Sequence, residues 1–487
     1  MNLERLIQAL APTNVVGRPS VDVRDLAYDA RAVTSGALFF CVPGEKADGH
    51  EFASDAVARG AVALVVERPL EVGVPQLVVD DARAAMAIAA DEFFAQPTRE
   101  LAVAGVTGTT GKTTTAYLLH AILAAAGLRP GLVTTIESVV GGERRAAVRT
   151  TPEAIDLQRT FRAMLDAGDR SCAMEATSHG SELKRLLKVR FSVLVFTNLS
   201  REHLDFHGTI ERYFDAKRRL FLADLPPAAV NVGDAYGRRL ARELQGRTDL
   251  LTFGFVRQAD VRADDLELTE GGSRFRAGGI ELQTRLRGRF NVVNVLGAVA
   301  ASRLLGLSDE AIAAGVEAVS GVPGRFEPVE EGQPFTVLVD YSHKPHALES
   351  VLLAARDLTR KRVVCVFGCG GDRDREKRPA MGRIAATLAD VAIVTSDNPR
   401  SEDPLDIIDD VVAGTNGEVE VEPDRRMAIG RALERAEPGD VVVIAGKGHE
   451  QGQELRGVTL PFDDREVARE LLRARTSSRR RHSAGAR

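Results

Sequence analysis

Short runs that are apolar at nearly every position recur along the chain, separated by glycine-rich or polar breaks: LAVAGV, FSVLVFTN, FTVLVDYSH, KRVVCVFGCGG, DVAIVTSDN and DVVVIAGKG are the clearest. A strand that is apolar on both faces is covered on both faces, which is the mark of a parallel sheet between helices. Between these runs the apolar period lengthens to that of a helix, as in TTTAYLLHAILAAAG and HALESVLLAARDL. Strands alternating with helices predict an α/β protein with ligands gathered at the carboxyl ends of its strands.

The pattern divides the chain into three parts, in keeping with 487 residues at roughly 150 per domain. Residues 1–98 hold ALFFCV, AVALVV and PQLVV and one alanine-rich helix, predicting a small N-terminal α/β domain. Residues 99–327 predict a central parallel-sheet domain opening with a glycine loop. Pro323, Gly324 and Pro328 punctuate a linker, and residues 328–475 predict a Rossmann-like domain. The last stretch, TSSRRRHSAGAR (476–487), is basic without apolar period and reads as a disordered tail.

Composition narrows the function classes. The 64 basic and 69 acidic residues leave a net charge of −5, the wrong balance for a protein that coats nucleic acid or anionic membrane. No apolar run approaches the roughly 20 residues of a membrane span, and MNLERLIQAL lacks a signal-peptide apolar block. Cys41, Cys172, Cys365 and Cys369 form no disulfide framework, and the 365/369 spacing is not CxxC. A cytoplasmic monomer acting on small molecules is expected.

GVTGTTGKTTT (105–115) is the strongest chemical signal. Backbone N–H groups of a glycine loop entering a helix cradle phosphate oxygens; Lys112 would reach the β- and γ-phosphates, and Thr113 would offer its hydroxyl to Mg²⁺. Five residues, not the usual four, lie between Gly105 and Gly111. With the preceding strand and following helix, this predicts a P-loop ATPase domain.

GTTGKTTT resembles the loop of the Mur ligases and of the related folylpolyglutamate synthetases. The landmarks TTP, MEATSHG, TNLSREHLDFHG, YFDAKRRLF, GRFNVVN, GRFE, VDYSHKPHAL, GCGGDRDREKRP, SDNPR and AGKGHE then resemble, in order, the diaminopimelate-adding branch of the Mur ligases. The resemblance implies an ATP-dependent ligase of peptidoglycan precursor synthesis. Such an enzyme joins meso-2,6-diaminopimelate to UDP-N-acetylmuramoyl-L-alanyl-D-glutamate through an acyl phosphate. Two alternatives share the scaffold: a lysine-adding Mur ligase, distinguished by its amine pocket, and a folylpolyglutamate synthetase, which lacks an N-terminal UDP-binding domain.

The resemblance also implies roles. Gly108, Thr109, Thr110, Gly111, Lys112, Thr113 and Thr114 would hold ATP, with Asn294, Arg325, Asp340 and His343 completing the nucleotide site. Lys112, Glu175, His203 and Lys217 would be catalytic, with Thr113, Glu175, His203 and Lys217 at Mg²⁺. From pattern alone Lys217 reads as an exposed helical lysine; the resemblance makes it an N6-carboxylysine, a carbamate that turns a cation into an anionic ligand. Residues 1–98 would be the substrate domain, and Tyr28, Ala30, Glu45, Lys46, Ala47, Thr150, Thr151, Thr177, Leu183 and Arg185 would bind the UDP-substrate. Arg373, Asp397, Asn398, Pro399, Arg400, Gly446 and Glu450 would bind diaminopimelate, Arg400 reading its second carboxylate. Ala30, Leu183, Ser342, Lys344 and His346 depart from the family's usual residues.

Overall fold

The computed structural model describes residues 1–44, 47–269, 271–415 and 419–485, the side chains of 476–485 excepted. Three sheets follow one another along the chain. In the first, Asp25–Ala27, Ala37–Phe40, Ala61–Val66 and Gln76–Val78 run parallel in that order, and Asn14–Val16 closes the edge antiparallel. In the second, Pro130–Val133, Ser171–Glu175, Ala102–Thr107, Phe191–Phe196, Ala228–Asn231 and Leu250–Phe253 lie parallel side by side. The third places Thr336–Asp340, Val441–Ala445, Val363–Phe367, Val391–Val394 and Glu420–Val421 in parallel order. Glu327 and Pro328 pair antiparallel with Val339 and Leu338 at its edge, inside the stretch that the prolines punctuate.

The doubly apolar strands are sandwiched as their pattern requires: every residue of Val363–Phe367 and Val441–Ala445 is buried. On one face of the central sheet the helix Lys112–Ala125 packs against Arg289–Leu304 and Asp309–Ala318. Gly315 makes the last approach possible, since a Cβ there would stand 2.4 Å from Ile122 Cα. All four cysteines are free and buried. Among the described residues no helix is long and apolar enough to cross a membrane.

Three antiparallel units escape the sequence pattern. Glu137–Val140 and Glu143–Ala146 extend the central sheet antiparallel beyond Pro130–Val133. A meander of Ala263–Thr269, Gly272–Ala277 and Ile280–Thr284 alternates buried and exposed positions, and its Gly278–Gly279 turn was the available signal. A hairpin of Gly452–Leu455 and Val458–Pro461 is too short and too exposed to show one. The last helix spans Asp464–Gly485, so it runs on into the basic stretch read as a disordered tail; neither proline nor glycine interrupts 464–484.

Candidate active site

The strand ends of the second and third sheets face one another across a cavity of about 510 Å³, lined from one side by the phosphate loop and from the other by residues 325–351. The loop takes its shape from glycine. Gly108 and Gly111 hold φ of +142° and +83°, and Cβ atoms there would lie 1.9 Å from Thr197 Oγ1 and 2.3 Å from Asn294 Oδ1. Asn198 ties the loop down: its carbonyl accepts from the Thr109 amide at 2.9 Å, and its Oδ1 from the Thr110 amide at 3.0 Å. Thr114 is buried in the first turn of the helix.

Cations crowd this loop. Lys112 Nζ donates to the carbonyls of Gly108 (3.1 Å) and Thr109 (2.8 Å). Burial pushes its ammonium below the usual lysine range, with Glu175 opposing. Lys217 is not the exposed helical lysine that its pattern suggests. It is 1% exposed, donates to Gly108 O at 2.8 Å and stands 4.6 Å above the Tyr213 ring. Burial, and next the charge of Lys112, drive its amine well below the usual range. Arg325 reaches across from the third sheet and donates to Thr113 Oγ1 at 3.2 Å.

A buried carboxylate faces these charges. Glu175, ending strand Ser171–Glu175, accepts on Oε1 from Thr113 Oγ1 (2.8 Å), the Thr135 amide (2.8 Å) and Thr135 Oγ1 (3.0 Å). His203 lines the same cavity and lies 3.0 Å from Glu202 through Nε2. Burial first, then Lys112 and Lys217, lower its imidazole to about 4, so the ring is neutral at pH 7. Lys344 also ion-pairs with Glu202, joining the third sheet's domain to the second's. Burial, then Lys112, Lys377 and Arg373, bring the Lys344 amine down to about 7. Asn294 Nδ2 donates to Asn291 Oδ1 at 2.9 Å behind the loop. Asp340 is buried, accepts from the Phe326 amide at 2.7 Å, and is raised by that burial. His343 packs on Tyr341 and is lowered to about 4 by burial.

Toward the first sheet, Thr150 and Thr135 share a hydroxyl contact of 3.1 Å. Thr177 donates to Thr151 Oγ1 at 3.0 Å and caps the short helix Ser178–Glu182. Arg185 holds Thr151 O at 3.1 Å and Glu153 at 2.7 Å. Leu183 ends that helix half-buried. Tyr28 OH donates to Asp156 at 2.6 Å, Ala30 is buried, and Ala47 is exposed. Glu45 and Lys46 lie outside the described residues.

A second cluster forms where Val391–Val394 and Val441–Ala445 end. Asn398 donates to Glu450 Oε2 at 2.8 Å and accepts from Lys447 Nζ at 2.8 Å. Asp397 is buried 3.9 Å from that same ammonium. Arg400 donates to Gly371 O at 2.6 Å and to Glu454 at 3.1 Å, and Gly371 N donates to Asn398 O, the residue before Pro399. A Cβ on Gly446 would stand 2.4 Å from Asp397 Oδ2. Arg373 is exposed on the neighbouring loop. Sequence reasoning missed Glu202, Lys447 and Glu454. Glu202 and Lys447 sit inside the quoted motifs, so their charge beside candidate ligands was the available signal; Glu454 had none.

Comparison with known proteins now decides the family. Models of the Mur ligase family match in order: the "Mur ligase family, catalytic domain" over 22–96, the middle domain over 106–302, and the "Mur ligase, glutamate ligase domain" over 324–448. The chain belongs to the Mur ligase family. It is accordingly an ATP-dependent ligase that forms an amide bond. It is 47% identical over 481 residues to the UDP-N-acetylmuramoyl-L-alanyl-D-glutamate–2,6-diaminopimelate ligase of Solibacter usitatus, covering 96% of this chain and 95% of that one. The enzyme of the same name from Geobacillus kaustophilus is 45% identical, over 93% and 96% of the two chains. A solved structure of a ligase so named superposes with a TM-score of 0.68 at 33% identity, covering 93% of this chain and 95% of that one.

Proposed function

We propose that this Mur ligase adds meso-2,6-diaminopimelate to UDP-N-acetylmuramoyl-L-alanyl-D-glutamate in peptidoglycan precursor synthesis, as a cytoplasmic monomer. The observation that carries this reading is the second cluster. Arg400, Asn398 and Glu450 gather at two strand ends, supplying a guanidinium for a carboxylate and a carboxylate for an ammonium. meso-Diaminopimelate differs from L-lysine by a carboxylate at its far end, and a planar guanidinium is the group suited to read it. Asp397, Pro399, Gly446 and Arg373 are assigned to the same amine site.

The domains divide the work: 1–98 with Thr150, Thr151, Thr177 and Arg185 for the UDP-sugar, 99–327 for ATP, and 328–475 for the amine. In the first step a substrate carboxylate oxygen attacks the γ-phosphorus of ATP, and ADP leaves from an acyl phosphate. Carboxylate and triphosphate repel, so the step requires concentrated positive charge. Lys112 and Arg325 converge on Thr113 and the loop to supply it. Asn294, Asp340 and His343 position the nucleotide. The diaminopimelate amine then attacks the acyl carbon, loses a proton, and inorganic phosphate departs.

The residues present suit Mg²⁺. Thr113 Oγ1 and the buried Glu175 carboxylate already touch, and neutral His203 lines the same wall. Among the described residues no group of three or more His, Cys, Asp or Glu is assembled for a metal, which matches an ion that completes its shell with phosphate oxygens and water. Bound there, Mg²⁺ would neutralise the phosphate charge. Lys217 is buried without a carboxylate partner among the described residues, and burial and Lys112 shift it toward the unprotonated amine that reacts with CO₂; we assign it as the carbamate.

A phosphate-release assay with purified UDP-muramoyl dipeptide and a panel of amines tests the reading. Turnover should require ATP, the dipeptide and meso-diaminopimelate together, with L-lysine far poorer. Equal specificity constants for the two amines would overturn the assignment in favour of a lysine-adding or promiscuous ligase.

A further inference from the structure

The loop that carries Arg400 is tied to a hairpin distant in sequence. Arg400 sits at φ +55°, a left-handed conformation that residues with a Cβ adopt uncommonly. The hairpin is Gly452–Leu455/Val458–Pro461. The Arg400 amide donates to Glu454 O at 3.0 Å, and the Arg456 amide donates back to Arg400 O at 2.6 Å. Gln453 Nε2 bonds Ser396 Oγ at 3.0 Å and Asp397 O at 2.8 Å, and the Glu454 amide donates to Asn398 Oδ1 at 3.0 Å. Residues 396–400 are therefore bonded along their length to 453–456.

One side chain of the hairpin goes further. Glu454 Oε2 accepts from Arg400 Nε at 3.1 Å, while Arg400 Nη1 donates to Gly371 O at 2.6 Å. The guanidinium is thus oriented at two of its three nitrogens, and Nη2 makes no hydrogen bond among the described residues. A planar fork fixed at Nε and Nη1 can turn neither about its axis nor out of its plane, so Nη2 is left aimed for an incoming group. The pair is half-open, with Glu454 43% exposed, so its own contribution to stability is small. Its effect is orientation.

We propose that Glu454 is a specificity-determining positioning residue: through Arg400 it sets the selection of an amino acid bearing a second carboxylate. This rests on the reading of Arg400 as the group that meets that carboxylate, and it adds a residue outside the motifs that suggested the reading. Without Glu454, Arg400 samples other rotamers and must be ordered by the substrate itself, which weakens binding at that site alone.

The test is steady-state kinetics on the full chain for wild type, Glu454→Ala and Glu454→Asp, with meso-diaminopimelate, L-lysine, ATP and the UDP-muramoyl dipeptide each varied. Glu454→Ala should raise the KM for meso-diaminopimelate on the order of tenfold and lower its preference over L-lysine to match. kcat and the other two KM values should stay within about twofold. Glu454→Asp, which keeps the charge, should recover part of the loss. An unchanged diaminopimelate KM in Glu454→Ala, or a parallel rise in all KM values, overturns the positioning role and leaves the amine assignment standing. A wild-type enzyme that does not distinguish the two amines overturns the amine assignment, and this role with it.

Discussion

The ammonium groups of Lys112 and Lys217 converge on one acceptor, the carbonyl oxygen of Gly108, at 3.1 and 2.8 Å. Two buried cations on one carbonyl repel, and the balance shifts toward a neutral amine at the more deeply enclosed Lys217. Carbamylation removes the conflict by replacing one cation with an anion. Lys217→Ala should therefore lose at least about 100-fold in kcat, and a short carboxylic acid such as acetate should restore part of it. Wild-type turnover by Lys217→Ala in bicarbonate-depleted buffer is the result that would remove the carbamate from the mechanism.

Gly108 itself has no substitute. Gly108→Ala combines a φ of +142° with a Cβ 1.9 Å from Thr197 Oγ1. The cost in backbone strain alone is about 1–3 kcal/mol. The variant should show a lowered Tm and lose ATP-dependent turnover, and Gly108→Ala/Thr197→Ala should recover only the steric part of the stability loss. Calorimetry and the phosphate-release assay measure the two separately.

Lys344 is one of the residues that the family resemblance marks as a departure, and the structure gives it a partner. Its ammonium pairs with Glu202, which also touches His203 at 3.0 Å, so one carboxylate links the C-terminal domain to a candidate metal ligand. Lys344→Met should lower kcat about tenfold, and Lys344→Arg should do less harm. In a double-mutant cycle with Glu202→Gln, the two losses should couple by on the order of 1 kcal/mol. Strict additivity would show that the pair is incidental.

Arg378 provides a pH-dependent test away from the site. It is fully buried and bracketed by Glu402 (2.8 Å) and Asp410 (2.9 Å). The Arg378 guanidinium holds Glu402 down at about 2 against an ordinary 4.5. A carboxylate with a lowered folded pKa contributes stability that is complete above the unfolded value and lost as pH falls through the folded one. Asp410 still pairs with Arg378 in Glu402→Gln, so the variant should be destabilised by about 1–2 kcal/mol at pH 7. Its deficit relative to wild type should shrink as pH falls from 4.5 to 2, as denaturant titrations across that range will measure.

Much of the candidate site was legible in the chain because its chemistry is local. Lys112 and Thr113 follow Gly111 directly, and Glu175, Asp340 and Asp397 stand at or just past the ends of apolar runs, so strand direction alone sends them toward one edge. The departures were legible as departures only. Nothing near Lys344 in the sequence points to Glu202, since the two stand 142 positions apart in the chain.

By itself the sequence determined the α/β class, the strands that carry the loops and the phosphate loop's chemistry, because period and motif are properties of neighbouring residues. Burial, partnership and protonation were decided by tertiary structure alone. Lys217 carries the pattern of a solvated helical lysine until helix Ile210–Ala223 is laid against the loop, where desolvation and Lys112 disfavour its charged form. Arg400 reads from the sequence as the group for a second carboxylate, but its backbone and guanidinium are held by a short, exposed hairpin and Glu454, which the sequence does not show. In both cases the deciding interaction comes from a segment distant in sequence, and electrostatics in a low-dielectric interior depend on distance in space.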